Sequence, residues 1–231
     1  MGARGGSQKG RTVNRPKFEK GYKRTRLIQG FGVNDADYSL GNSKGDTKCP
    51  IHKKWLDMIY RCYRPNNEET SYRDKTVSLK WKRFSDFKMW VDMQVFSKEM
   101  DLDKDILIKG NKEYGPDTCA FVPEYVNLSI SGFKSKEINP WPIGVHWSTH
   151  LKGRPFESMC QIGDKRKRLG RFATPEEAHA AWQLGKVEAL ELVINRYAKE
   201  ECFRTDVADA LMRRVWDLRL DHANGVETKS L

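Results

Sequence analysis

Residues 169–182 read LGRFATPEEAHAAW, and they carry the strongest helix signal in the chain. Thr174 suits the N-cap, Pro175 suits the first helical position, and Glu177 can close a capping box. Small side chains then recur on one side of the helix, which allows a close approach to a neighbouring layer. The stretch therefore predicts a strand that turns directly into a helix packed against it.

Three strands are expected ahead of this helix. The segments are 144–147, 154–162 and 167–172, and Gly163-Asp164 forms the turn between the last two. Three strands followed by a helix predict a three-stranded antiparallel sheet packed on one helix, over residues 143–199. Such a sheet buries one face and leaves the other open.

Alternation along the strands sorts the side chains between these two faces. In the last strand it puts Arg166, Arg168 and Gly170 opposite Lys167 and Leu169. Arginine, glutamine and glutamate side chains on an open sheet face can enter a DNA major groove, where they read guanine, adenine and cytosine. The alternative is that the arginines are exposed strand charges without a ligand. The candidate DNA contacts are His146, Trp147, Arg154, Glu157, Arg166, Lys167, Arg168 and Arg171.

Residues 143–190 resemble the AP2 domain family. The matching runs are GVHW at 144–147, GRPF at 153–156 and KRLGRFATPEEAHAAW at 167–182. Members of that family bind double-stranded DNA with the exposed face of their sheet, so the resemblance implies the same partner here. Arg168 stands at a position that is usually aromatic in the family, and base preference is therefore not carried over. The implied contacts are Arg154, Arg166 and Arg168, with His146.

The chain ahead of this sheet has helical spacing first and hairpin signals afterwards. Apolar stripes predict helices over residues 52–64 and 81–96, with a short strand at 77–79 between them. A strand between Leu102 and Ile108, a turn and a strand at 119–122 predict a hairpin, and a short helix carrying Asn127 follows it.

Residues 50–130 resemble phage-type HNH endonucleases. The matching runs are WLDMIYRCY at 55–63, WKRFSDF at 81–87, DKDIL at 103–107 and GNKEYGPDTCAFVP at 110–123. An HNH-like module ahead of an AP2-like one is familiar in mobile phage endonucleases. The resemblance implies a ββα site in which Asp103 and Asn127 hold Mg²⁺ or Mn²⁺ at the scissile phosphate. Asn111 and Thr118 fall in the structural part of the motif.

The base position of this motif holds Lys104 in place of histidine. A protonated lysine cannot accept a proton from water, although it can bind phosphate. Asp105 can serve as a second metal ligand or a weak base, and His52 is the nearest histidine that could act from elsewhere. The candidate catalytic residues are Asp103, Lys104 and Asp105. The alternative is a hairpin kept as scaffold, with both aspartates simply solvated.

Positive charge is concentrated in two segments of a chain whose formal net charge is +11. Residues 1–26 hold nine Lys and Arg against one Glu, and residues 150–172 hold seven against two acidic residues. Such concentration is expected where a protein neutralises nucleic-acid phosphates. The alternative for the first segment is a solvated tail that aids solubility.

These observations predict an α+β protein with two modules. The predicted divisions are a flexible basic arm at 1–26, an HNH-like module at 27–131, a linker at 132–142, an AP2-like domain at 143–199, and a C-terminal helix and tail at 200–231. An amphipathic pattern between Asp206 and Leu220 predicts the last helix, packed against the body of the protein.

The expected location is the cytoplasm, that of the host cell if a phage carries the gene. No apolar run approaches the roughly 20 residues of a membrane span, and the N-terminus lacks the apolar core of a secretory signal. Five widely spaced cysteines without a CxxC pair predict reduced thiols.

The leading functional hypothesis is a metal-dependent homing or free-standing endonuclease that holds double-stranded DNA on the AP2-like sheet. Its rival is a catalytically inactive DNA-binding or regulatory protein that retains the hairpin scaffold. A third hypothesis is an interaction protein whose middle segment binds a host enzyme, and nothing in the sequence favours it. No membrane partner is expected, and no protein partner is predicted.

Overall fold

The computed structural model describes residues 27–41, 49–64, 72–131, 139–148 and 153–231, and the protein is α+β. The basic arm predicted at 1–26 and residues 132–138 of the predicted linker lie outside the described residues. Among the described helices, none has the length and apolar character that crossing a membrane requires.

The first core is built around two helices and a cluster of aromatic rings. Its elements are α1 (Pro50–Tyr63), β1 (Thr76–Val77), a 3₁₀ turn (Leu79–Trp81) and α2 (Phe84–Asp92). Trp55 of α1 is fully buried, and its Nε1 donates to the Trp81 carbonyl at 2.9 Å. The second helix is shorter than the predicted 81–96, because the 3₁₀ turn precedes it and the amides of Met93 and Gln94 close its last turn by bonding to carbonyls three residues back.

A hairpin and a short helix come next. The elements are β2 (Asp101–Asp103), β3 (Glu113–Tyr114), β4 (Ala120–Val122) and α3 (Glu124–Ile130). β2 pairs with β4 in antiparallel fashion, and β3 pairs with β1 in parallel. β2 ends earlier than predicted because the Asp103 carboxylate accepts hydrogen bonds from the amides of Asp105 and Ile106, which closes a turn.

The C-terminal region contains a three-stranded antiparallel sheet packed on a helix. The elements are β5 (Val145–Trp147), β6 (Phe156–Ile162), β7 (Lys165–Phe172) and α4 (Pro175–Tyr197), in the strand order β5-β6-β7. The predicted capping box is confirmed: Thr174 Oγ1 accepts from the Glu177 amide, and the Glu177 carboxylate accepts from the Thr174 amide. At Gly185 the helix approaches so closely that an added Cβ would lie 2.6 Å from Leu169 Cδ1.

A β-bulge changes which side chains of β7 share a face. The pairs around it are Ser158–Gly170 and Met159–Arg168, with Leu169 as the extra residue. Gly170 adopts φ +156°, and an added Cβ there would lie 2.9 Å from the Phe172 ring. Because the extra residue offsets the alternation by one position, the prediction that Gly170 joins Arg166 and Arg168 is wrong, and Arg171 takes its place.

The second core crosses the predicted module boundaries. A last helix, α5 (Thr205–Ala223), packs on α4. Side chains of the hairpin and of α3 belong to the same buried cluster as those of α4 and α5. The shared cluster includes Ile106, Val122, Val126, Trp182, Leu190, Leu211 and Val215. The segments predicted as separate modules therefore hold one core in common.

The five cysteines, all of which lie in described residues, form no disulfide. Burial raises the pKa of the Cys62 thiol to about 11 and that of the Cys119 thiol to about 12. Since the thiolate is the reactive form, these two residues are packing groups at neutral pH.

Candidate nucleic-acid interface

One face of the sheet points away from α4 and carries charged side chains. Residues that pair directly across neighbouring strands share a face, so the pairing assigns its members. The members, together termed the charged face, are His146, Glu157, Met159, Gln161, Arg166, Arg168 and Arg171. Three arginines against one glutamate leave this face with an excess of positive charge.

Glu157 joins two of these arginines. Its Oε1 lies 2.6 Å from Nε of Arg168 and 3.6 Å from Nε of Arg171. The glutamate side chain is 16% exposed, whereas the two arginine side chains are 56% and 47% exposed. The carboxylate therefore holds two guanidinium groups side by side at the solvent boundary through this one oxygen.

Arg166 contacts His146 from the other edge of the sheet. Its Nη2 lies 3.0 Å from Nε2 of the histidine. Because a guanidinium only donates, this ring nitrogen accepts the hydrogen bond and carries no proton. Since Arg166 belongs to β7 and His146 to β5, the arginine side chain lies across β6.

Two predicted DNA contacts lie on the other face of the sheet. Lys167 points toward α4, where its Nζ lies 3.8 Å from Oε1 of Glu188. Trp147 pairs with Phe156 at the end of the sheet and is 53% exposed there. Arg154 is exposed just before β6 and belongs to no strand. The prediction is therefore corrected for Lys167 and Trp147, because alternation turns both away from the charged face.

The hairpin brings two carboxylates and one amide together. Asp101 and Asp103 lie on the same side of β2, with the buried Leu102 between them. Nδ2 of Asn127 donates to Oδ2 of Asp101 at 3.0 Å, so the predicted late ligand contacts Asp101. Burial raises the pKa of the Asp103 carboxyl, and its two amide hydrogen bonds act in the opposite direction. Asp101 was not predicted, although its alternation with Asp103 was a signal that could have found it.

Lys104 points away from this acidic pair. It is 4% exposed, and its Nζ donates to the Asp105 carboxylate and to the Asn111 carbonyl. Nδ2 of Asn111 donates to the Lys104 carbonyl at 2.9 Å, and Thr118 Oγ1 donates to the Glu113 carbonyl at 2.9 Å. These bonds close the loop between β2 and β4. The prediction that Lys104 is catalytic is therefore corrected, because its side chain is buried and forms a structural ion pair with Asp105.

A buried arginine from α5 reaches the same turn. Nη2 of Arg214 donates to the Asp105 carbonyl at 2.7 Å, and Nη1 donates to the Ile106 carbonyl at 2.8 Å. The Asp103 carboxylate binds the amides of the same two residues, so the turn is held from both sides. Arg214 lies 108 residues from Ile106 along the chain, and no sequence signal predicted this contact.

The oxygen donors of the hairpin match a hard divalent cation in kind. Asp101, Asp103 and the amide oxygen of Asn127 would supply three ligands, and water would complete the shell of Mg²⁺ or Mn²⁺. One oxygen of Asp103 is already used by two amides. Within the part of the chain that the structure describes, no three His, Cys, Asp or Glu side chains form a metal-binding group.

No protein-family model, curated protein or solved structure matches this chain. Its function is therefore inferred from its own residues and contacts. Two features bear on this function: the charged face, and the hairpin site formed by Asp101, Asp103 and Asn127.

Proposed function

We propose that this protein binds double-stranded DNA with the charged face of its sheet. The observation that carries the proposal is the set of three exposed arginines on that face, Arg166, Arg168 and Arg171. Guanidinium groups bind backbone phosphates and also read the guanine edge in the major groove. Held by Glu157 and His146, these arginines are ordered before DNA arrives, which reduces the entropy lost on binding.

The dimensions of the sheet suit the major groove. Strands about 4.8 Å apart make a three-stranded sheet roughly 10 Å across, and the groove is about 12 Å wide. The helix α4 packs on the opposite face, so it leaves the charged face accessible. The resemblance of residues 143–190 to AP2 domains supports this mode of binding.

The proposal predicts which charges of one strand matter for DNA affinity. Replacing both Arg166 and Arg168 with alanine is expected to weaken binding and to reduce the slope of log affinity against log salt by about two units. Lys167→Ala removes a charge from the same strand but from its helix side, so its slope is expected to stay near the wild-type value. Fluorescence anisotropy with a short labelled duplex measures both slopes. An unchanged slope in the double variant would argue against the charged face as the DNA surface.

Metal-dependent phosphodiester hydrolysis is a second candidate function. The observation that favours it is the ββα unit, in which β2, β4 and α3 gather Asp101, Asp103 and Asn127. These residues would hold a cation, which would stabilise negative charge on the scissile phosphate. Lys104 is buried and donates to the Asp105 carboxylate, so it is not placed to take a proton from water, and this favours DNA binding without cleavage.

A cleavage assay, in which plasmid is incubated with the protein and Mg²⁺ or Mn²⁺, distinguishes the two candidate functions. Asp103→Asn keeps an oxygen for the two amide hydrogen bonds but loses the charge that would hold a cation. Asp217→Asn, at an exposed position of α5, is the matched control. Cleavage that Asp103→Asn loses and Asp217→Asn keeps would support the endonuclease. Retarded but intact plasmid with all three proteins would support DNA binding alone.

A further inference from the structure

A cavity opens beside the charged face where the sheet is incomplete. β5 has three residues and β6 has seven, so β5 covers only the first part of β6. Beyond the hydrogen bond from the Met159 amide to the Gly144 carbonyl, at 3.0 Å, no strand among the described residues pairs with β6 on that side. The space beside this uncovered edge is a cavity of about 410 Å³, termed the edge cavity.

Flat rings, amides and cations line the edge cavity. Its walls include Trp141, Asn139, Gln161, Arg166, Lys186 and Lys229. Gln161 and Arg166 also belong to the charged face, so the cavity opens onto the surface proposed to hold DNA. Glu227 is the single acidic side chain among the described residues that line it. The cavity therefore offers stacking surface, hydrogen-bonding groups and net positive charge.

Lys186 puts a buried cation in the cavity wall. It is 6% exposed, and burial lowers the pKa of its ammonium. Lysine is rarely this buried in a protein, because its charge loses hydration. Its positive charge would attract an anion that enters the cavity.

We propose that the edge cavity receives one unstacked nucleotide of the DNA that lies on the charged face. The inference rests on the proposed DNA binding. Pockets for small ligands begin at about 300 Å³, so the volume admits a single nucleotide but not a stretch of duplex. Pockets that accept an extruded base combine stacking on flat side chains with hydrogen bonds to the base edge, and the lining supplies both. The chemistry is that of a nucleotide, whose source is either bound DNA or free nucleotide in solution.

Two duplexes of the same sequence test the inference. One is fully paired, and the other carries a single base opposite an abasic site, which leaves the stack more readily. The wild type is expected to bind the second duplex at least about tenfold more tightly. Equal binding of the two duplexes would overturn the inference, and binding of neither would refute the proposed function instead. Calorimetry with free deoxynucleoside monophosphates tests the second source, free nucleotide in solution. If the protein binds these nucleotides and binds the two duplexes equally, the cavity is a site for free nucleotides and the proposal is overturned.

Two cavity variants and one control connect the preference to the cavity. Lys186→Met removes the buried charge and keeps most of the side-chain volume, so the preference is expected to fall to within about twofold of equal binding. Lys167→Met removes a lysine charge outside the cavity and is expected to keep the tenfold preference. Leu128→Trp, at a wall position that is 61% exposed, narrows the cavity without a buried substitution and is expected to act like Lys186→Met. A preference that survives in both folded cavity variants would overturn the inference.

Discussion

Glu157 stands between two arginines of the charged face, and this position changes the role expected of its carboxylate. Bound to Arg168 and Arg171, it offsets positive charge that would otherwise meet phosphates. Glu157→Gln is therefore expected to tighten DNA binding several-fold at low salt and to steepen the salt slope by about one unit. Glu188→Gln, which removes a carboxylate from the helix side of the sheet, is expected to leave both quantities unchanged. Anisotropy titrations at several salt concentrations give both values, and weaker binding by Glu157→Gln would indicate that the carboxylate contacts a base.

Close packing of the sheet on α4 depends on the glycine immediately before β5. Gly144 has φ +80°, and an added Cβ would lie 1.9 Å from Cδ1 of Trp182. Gly163, in the turn between β6 and β7, has φ +57° and nothing within 4 Å of an added Cβ. Gly163→Ala is thus expected to cost roughly 1–2 kcal/mol through backbone strain alone. Gly144→Ala adds overpacking and is expected to cost more than about 3 kcal/mol in the free energy of unfolding. Denaturant titrations compare the two variants, and similar losses would contradict the close contact with Trp182.

The secondary-structure elements differ in how well the sequence predicted them. The prediction of helix α5 at 206–220 agrees closely with its observed range, Thr205–Ala223. The agreement is close because the apolar period of this helix is long and regular. The first hairpin strand was predicted to run to Ile108 but ends at Asp103. The strand ends there despite the apolar residues that follow, because the Asp103 carboxylate accepts hydrogen bonds from the backbone amides of Asp105 and Ile106. A longer strand would use these amides for pairing.

At the level of the whole molecule, α5 supports a hairpin that lies far from it in the sequence. Arg214→Ala would leave the carbonyls of Asp105 and Ile106 without their donor, which is expected to lower the free energy of unfolding by about 1–3 kcal/mol. The amides of these two residues are expected to exchange faster with solvent, because the turn around Asp103 loses one of its two supports. Arg213→Ala changes the exposed neighbour and is expected to stay within about 0.5 kcal/mol of wild type. Hydrogen exchange and denaturant titration test this, and unchanged exchange in Arg214→Ala would contradict the support.

Local signals were sufficient for the features that depend on neighbours in the chain. The capping box at Thr174 and the exposure of Arg166 and Arg168 follow from residues within a few positions of each other, where backbone geometry sets the outcome. Only the tertiary structure showed that Lys104 is buried and that Arg214 contacts the hairpin. Both depend on packing between segments that meet only in the folded chain, and no period or spacing along the sequence encodes such a meeting.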